Sequence, residues 1–285
     1  MHETAPGGDF SPAPCRGDCL HAAAGSRMPI RGMNPSEKTL KLFTIIQRQA
    51  GVSRRKAQEL VAAGEVSVDG AVLQDPYQTL DPEVVERVSL RGHPLSLHLP
   101  EHRVYRLHKP KGMLCSHDDP HEGNTVGRVL RSEGFIGYSW AGRLDQDAEG
   151  LLLVTNDGGL LNGLTHPRYE VAKTYHVWVD RLPARAAADT MLREMQRGIL
   201  DEGDRLRILA GRVTGRPPYV VLQLTEGRKR EIKRLFGHYD LRVIRLLRVA
   251  IGPVQLGTLR PGTTQRLTAE EIEQLRRAVR TSERS

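Results

Sequence analysis

Residues 142–158 read GRLDQDAEGLLLVTNDG, with Asp145, Asp147 and Glu149 spaced two apart just before an unbroken apolar run, Leu151 to Val154. That run reads as a buried strand fed by a charged turn. A calcium loop would begin this way, with oxygen ligands at alternate positions ahead of Gly150. Its twelfth position, however, is Asn156 in place of a bidentate Glu, and apolar side chains fill the middle. The spacing permits a glycosidase pair of carboxylates facing across a sugar but does not demand it. A charged turn that caps a strand is the plain alternative.

The 285 residues leave room for a medium catalytic domain and a smaller module, each with its own core. Residues 1–38 are rich in Gly, Ala, Pro and Ser and lack the apolar core of a signal peptide, so a tail is expected there, with Met33 as the effective start. From Thr39 the pattern changes. Leu40, Phe43, Ile45 and Ile46 share one side of a short helix that ends near Gly51. Ser53 then caps a second helix with Ala57, Leu60 and Val61 on its apolar face, and Gly64 stands where a left-handed C-terminal residue belongs. Val66-Ser67-Val68, the turn Asp69-Gly70 and Ala71-Val72-Leu73 form a hairpin pattern. These elements set a module at residues 39–90, with a linker at 91–103 that contains Pro94 and Pro100.

The catalytic domain is expected at residues 104–280, with a short tail at 281–285. Strands are expected at Val104–Leu107, Leu151–Thr155, Val171–Val179, Leu206–Leu209, Val220–Thr225 and Leu241–Val249, and helices at Val126–Arg131, Ala186–Arg197, Arg228–Phe236 and Glu270–Val279. Thr268 and Glu271 have capping-box spacing before the last helix. Strands outnumber helices and short turns join several of them. The fold class is therefore α+β, with a largely antiparallel mixed sheet and flanking helices.

Lys and Arg number 42 against 34 Asp and Glu, a formal charge of +8, and the basic residues cluster, which favours a polyanionic partner such as nucleic acid. No stretch approaches the roughly 20 apolar residues needed to span a membrane. Three cysteines, Cys15, Cys19 and Cys115, are too few for a disulfide framework and fit a reducing cytoplasm. Cys15, Cys19 and His21 fall short of the four ligands of a structural zinc site, and no Gly-rich phosphate loop follows any strand, so neither a metal nor a nucleotide cofactor is expected. Arg54, Arg55 and Lys56 occupy the first turn of the second helix, where the macrodipole disfavours cations. A bound phosphate would offset that placement, and a solvated basic turn is the alternative.

The stretch from Leu40 to Leu73, with its SRR helix start and V-DG turn, resembles the S4-like RNA-binding domain, which implies RNA contacts for Arg54, Arg55 and Lys56. The GRLD segment closely resembles the catalytic motif of pseudouridine synthases of the RsuA and RluB type, in which the Asp is catalytic. Further stretches resemble this family in its own order: His108 to Gly112 (HKPKG), His166-Pro167 with Glu170 to Tyr175 (EVAKTY), Glu226 to Phe236 (EGRKREIKRLF), and then Leu246-Leu247-Arg248 and Ile251-Gly252-Pro253. One departure lies at Arg230 and Glu231, where relatives more often carry a polar pair. The resemblance runs over roughly Thr39 to Thr268.

It implies that a uridine of ribosomal RNA, free or in a pre-ribosomal particle, is isomerised without redox chemistry by a cytoplasmic, monomeric enzyme. HPRYEVAKTY and the VGRVL helix resemble the large-subunit enzymes more than the small-subunit one. Asp145 is then the catalytic carboxylate, acting either as nucleophile or by stabilising and deprotonating the sugar. An ionised carboxylate in a water-poor pocket needs a cation nearby. By motif position that cation is Lys233, with Arg228 as second candidate. Tyr175 is expected against the flipped uracil, Leu246 on the other wall, Arg143 on the phosphate or in the gap left by the base, and Arg228 and Arg230 on the substrate. Residues 228–248 hold eight Arg and Lys against Glu231 and Asp240, which reads as an RNA track.

Overall fold

A computed structural model describes residues 39–81, 84–96, 101–121 and 123–282. The N-terminal elements are β1 (Leu40–Lys41), α1 (Leu42–Ala50), α2 (Arg54–Ala62), β2 (Val66–Val68), β3 (Ala71–Val72), β4 (Thr79–Leu80), β5 (Val88–Leu90) and β6 (His93–Leu95). Leu42, Ile45 and Ile46 of α1 and Ala57, Leu60 and Val61 of α2 are buried together over Val66 and Val88, so this module has its own apolar centre. α1 ends on Gly51 at φ 64°, and Ser53 accepts from Lys56 N at 3.1 Å to cap α2. The hairpin β2–β3 turns at Asp69-Gly70, and β5 and β6 extend it to four strands in the order β3-β2-β5-β6. The start of the expected linker is therefore strand, because His93–Leu95 pairs antiparallel with Val88–Leu90. A proline concealed this, yet Pro94 lies on an edge strand, where a missing N–H is tolerated.

The second part runs β7 (Val104–Lys109), α3 (Val126–Ser132), β8 (Ser139–Trp140), β9 (Glu149–Thr155), α4 (Gly158–Thr165), β10 (Lys173–Val179), α5 (Arg185–Arg197), β11 (Ile199–Asp201), β12 (Asp204–Leu206), β13 (Ala210–Thr214), β14 (Tyr219–Leu224), α6 (Glu231–Gly237), β15 (Val243–Ile251), β16 (Val254–Gln255), β17 (Thr264–Arg266) and α7 (Ala269–Ser282). Its main sheet has the order β13-β14-β10-β15-β9-β7-β17, with β8 beside β9 and β16 beside β15. Every described pairing in it is antiparallel except β9 with β15. The fold is α+β on a largely antiparallel mixed sheet.

Leu151 to Val154 are wholly buried, because one face of β9 meets Leu107, Val177 and Leu246 while the other meets Leu160, Leu164 and Leu275 under α4 and α7. Three expectations need correction. The strand expected at Leu206–Leu209 falls largely in a gap between two strands: β12 ends at Leu206, and β13 begins at Ala210. The helix expected from Arg228 starts at Glu231, since Arg230 is left-handed at φ 52°. Helix α4 was not expected at all, as Gly158, Gly159 and Gly163 weaken its propensity, but the Asp157 side chain caps it by accepting from Gly159 N and Leu160 N.

Candidate active site

The carboxylate turn between β8 and β9 is held from two sides. Gly112 N donates to Gln146 O at 2.7 Å and Leu144 N to Cys115 Sγ at 3.4 Å, so the HKPKG stretch lies alongside it. Lys109, completely buried, aims its ammonium at Met113 O (2.8 Å), Pro110 O (3.0 Å) and Gln146 O (3.4 Å). Burial pushes its pKa down, while Cys115 and the carboxylates Asp147, Asp145 and Glu149 pull it back up. Beneath the turn the buried Arg248 donates through Nε to Leu151 O at 2.7 Å and through a terminal nitrogen to Arg143 O at 3.3 Å. β15 comes so near β9 here that a Cβ on Gly150 would lie 2.3 Å from Arg248 O. Only glycine fits, and its φ of 117° requires glycine as well.

Above the turn opens a cleft of about 550 Å³, with Lys111, Arg143, Asp145, Asp147, Arg230 and Lys233 among its lining. Helix α6 supplies the opposite wall. The buried carboxylate of Glu231 accepts from Arg228 N at 3.0 Å and fastens the chain ahead of α6; burial raises its pKa. Lys233, two residues further, places Nζ 2.6 and 2.7 Å from the two oxygens of Asp147 and 3.6 Å from Asp145 Oδ2. The ammonium is thus shared, with Asp147 nearer than the expected partner. Its hydrogen bond holds the Asp147 carboxyl below the usual range.

The other expected residues divide. Arg143 and Arg230 line the cleft with Asp145. Arg228 does not: its guanidinium is taken by Asp204 and by Glu226 at 2.7 Å, which removes it as a second candidate for the Asp145 cation. Tyr175 and Leu246 are buried in the core that also contains Leu144, and neither is among the residues lining the cleft. The basic track is also thinner than its composition implied. Arg228 is bound to Glu226 and Asp204, Arg234 to Asp201 and Asp204, Arg245 to Glu149 at 2.6 Å, and Arg248 is internal, leaving Lys229, Arg230 and Arg242 as the exposed members outside these ion pairs.

In the N-terminal module Arg55 pairs with Glu59 at 3.1 Å, Lys56 lies 3.8 Å from the same carboxylate, and the Arg54 guanidinium stacks 4.7 Å from the Phe43 ring centre. Glu59 therefore offsets part of the charge that the sequence left uncompensated. All three cations stay exposed. Cys15, Cys19, His21 and Met33 lie outside the described residues. A larger hollow of about 650 Å³ between α5 and residues 239–241 is mainly apolar, with Tyr239 donating to Glu194 at 2.9 Å. It offers no nucleophile or carboxylate pair comparable to the first cleft.

Asp145 is a carboxylate a third exposed in a cationic cleft, able to act as nucleophile or base on a polyanion. Lys109 and Arg248, which brace the carboxylate turn from within, had no role assigned from sequence; only their place in the HKPKG and LLR motifs marked them.

Known proteins resemble this chain over most of its length. Residues 103–238 match the RNA pseudouridylate synthase family and residues 40–85 the S4 domain. An RNA pseudouridine synthase of Aquifex aeolicus is 36% identical over 238 residues, covering 81% of this chain and 92% of that protein. The ribosomal small subunit pseudouridine synthase A of Vibrio cholerae is 35% identical, with 78% and 93% covered. The ribosomal large subunit pseudouridine synthase B of Bacillus subtilis is 32% identical, with 83% and 95% covered. A crystal structure of a pseudouridylate synthase superposes with a TM-score of 0.56 at 27% identity, covering 83% of this chain and 99% of that one.

Proposed function

This chain belongs to the RNA pseudouridylate synthase family, and from that premise we propose that it converts a uridine of ribosomal RNA to pseudouridine, with Asp145 as the catalytic carboxylate. The observation that carries the proposal is the meeting of Asp145 and Lys233, from two distant motifs, in one cleft with Arg143 and Arg230. Isomerisation breaks the bond between ribose C1′ and N1 of uracil, turns the base, forms the bond from C1′ to C5 and releases the C5 proton, while N1 takes up a proton. Atoms and electrons balance within the nucleotide, so the chemistry calls for no redox partner, metal or nucleotide cofactor.

The target base must leave its stack, at a cost of a few kcal/mol, to reach the carboxylate. Arg143 and Arg230 are placed to bind the phosphates on either side of it, and Lys233 to hold the negative charge at Asp145. Tyr175 and Leu246 are buried in the core with Leu144 and lie outside the cleft lining, so a contact with the uracil requires the cleft floor to open toward them. The N-terminal module, which includes β6 to Leu95, adds RNA contacts through Arg54, Arg55 and Lys56 ahead of the catalytic domain at 104–280, and the enzyme works as a monomer in the cytoplasm. A large-subunit target is supported by HPRYEVAKTY and VGRVL.

The test is to map pseudouridines in both ribosomal RNAs from cells with the gene, without it, and with Asp145→Asn. The amide keeps the shape but is neither an anionic nucleophile nor a base, so one site is expected to disappear from large-subunit RNA in both altered strains. A site missing only from small-subunit RNA overturns the choice of subunit. Modification by a clean Asp145→Asn enzyme overturns the catalytic assignment.

A further inference from the structure

The main sheet has a second face that the cleft does not use. Along β10 and β14 the buried Tyr175, Val177, Val220, Leu222 and Leu224 point to one side, so the alternate residues His176, Trp178 and Tyr219 point to the other. On the edge strand, a Cβ on Gly211 would meet Leu192 and Leu222 of the core, which turns its neighbour Arg212 to that same outer side. Arg245 stands beside Trp178 in the β10–β15 register.

The outer face is a ladder of flat rings. The His176 and Tyr219 centroids are 4.7 Å apart at 41°, and those of Trp178 and Tyr219 are 5.0 Å apart at 31°. All three rings are half-buried, and cations flank them: Arg212 is exposed on one side, and the Arg245 guanidinium lies 4.6 Å from the Trp178 centroid on the other. Burial, with help from Arg212 and Arg245, keeps the His176 pKa below its ordinary value, so at neutral pH the ring is an uncharged stacking surface. Glu149 stands at this face, and Arg245 holds its carboxylate at 2.6 Å. Glu149 lies two residues past Asp147, so the Arg245 end of the ladder follows directly on the carboxylate turn.

We propose that this face is a second RNA-binding surface, on which an unpaired segment of the substrate stacks its bases over Tyr219 and His176 beside Trp178 while Arg212 takes a phosphate and Arg245, held by Glu149, covers the far side of Trp178. Charge complementarity selects this occupant: π-faces between arginines suit a strand of bases carrying one negative charge per nucleotide. Stacking tolerates any base, so the surface adds affinity for RNA beside the target without reading its sequence. The proposal rests on RNA being the substrate, but it is tested without catalysis.

The protein has two tryptophans, Trp140 and Trp178, so Trp140→Phe leaves Trp178 as sole reporter. Circular dichroism against wild type establishes that this background is folded. An unstructured oligouridylate of about ten nucleotides is titrated into it at several salt concentrations. Saturable quenching of Trp178 is expected. Arg212→Gln should lower the slope of log affinity against log salt by about 0.7, one single-strand phosphate contact, and Tyr219→Leu should weaken binding, whereas Arg143→Gln in the cleft leaves the quenching in place. Unquenched Trp178 emission, or quenching indifferent to both Arg212→Gln and Tyr219→Leu, overturns the proposal and leaves the face to a protein partner. Because the oligomer contains no target site, an enzyme that modifies no ribosomal uridine would fail the proposed function without altering this result.

Discussion

Replacing Lys233 by Met keeps most of the side-chain volume and removes the cation that Asp145 and Asp147 share. At 3.6 Å from Asp145, a unit charge contributes about 1.2 kcal/mol at the dielectric of water and about 4.6 kcal/mol at an effective dielectric of about 20. The side chains of Lys233 and Asp145 are 26% and 33% exposed, and Asp147 draws the ammonium toward itself at 2.6 Å, so the middle of that range applies. A loss of about 2 to 3 kcal/mol in the reacting complex slows single turnover by about 30- to 150-fold. Stability should fall by only about 1 kcal/mol, since neither carboxylate is sealed from water. Lys233→Arg should retain more activity than Met, because it keeps the charge but not the compact ammonium. Asp147→Asn is the informative companion. It removes the nearer competitor and leaves Lys233 to Asp145, so its rate should stay close to that of wild type.

The assay is single-turnover conversion at saturating RNA for wild type, Lys233→Met, Lys233→Arg and Asp147→Asn, with urea unfolding to compare stability. A folded Lys233→Met enzyme that turns over at the wild-type rate refutes the reasoning. So does an Asp147→Asn enzyme as slow as Lys233→Met, for then Asp147 and not Asp145 would be the carboxylate that the cation serves.

Replacing Arg54, Arg55 and Lys56 together by Gln should weaken binding to structured RNA and lower the slope of log affinity against log salt by up to about 2.7; an unchanged slope means that this helix start does not touch the backbone. Lys173, whose ammonium donates to Thr225 O at 3.0 Å and Val171 O at 3.1 Å, is brought down to about 8 by burial and by Arg248, against the pull of Glu231. The unfolded chain keeps that proton up to about 10.5, so it binds more protons than the folded one between these values, and stability should rise with pH across this window by about 3 kcal/mol. Urea unfolding from pH 7 to 10.5 should show the rise in wild type and lose it in Lys173→Met; equal slopes refute the shift.

Much of this arrangement was legible because it is local. The caps at Ser53 and Thr268, the Asp69-Gly70 hairpin and the buried run of β9 each follow from a few adjacent residues. Helix α4 was not, because its stability comes from elsewhere: Leu160 and Leu164 are buried, and position 163 takes only glycine because a Cβ there would lie 2.4 Å from Val279 of α7. Charge was misread for a similar reason. Eight Arg and Lys between 228 and 248 suggested a surface, yet Arg234 binds Asp201 and Asp204, Arg245 binds Glu149, and Arg248 supports the carboxylate turn from within. A basic residue spent on an internal acid far away in sequence has the same composition as one left for a ligand.

The same internal pairing supplies an argument for Asp145 that does not depend on its motif. Three carboxylates stand two apart in this turn, and by sequence any of them could carry the chemistry. Glu149, 16% exposed, lies at the first residue of β9 with its carboxylate on Arg245. Asp147 accepts Lys233 through both oxygens at 2.7 Å or less, and that hydrogen bonding holds its carboxyl below the usual range, which makes it a weaker base and nucleophile. Asp145 has the same ammonium at 3.6 Å, beyond hydrogen-bond reach but near enough for its field. It opens into the cleft, and the turn that carries it is fixed by Arg248 at Arg143 O and by Lys109 at Gln146 O. A carboxylate with a cation nearby, a rigid mount and its oxygens not yet taken can attack or accept a proton with little rearrangement, and of the three only Asp145 meets all these conditions.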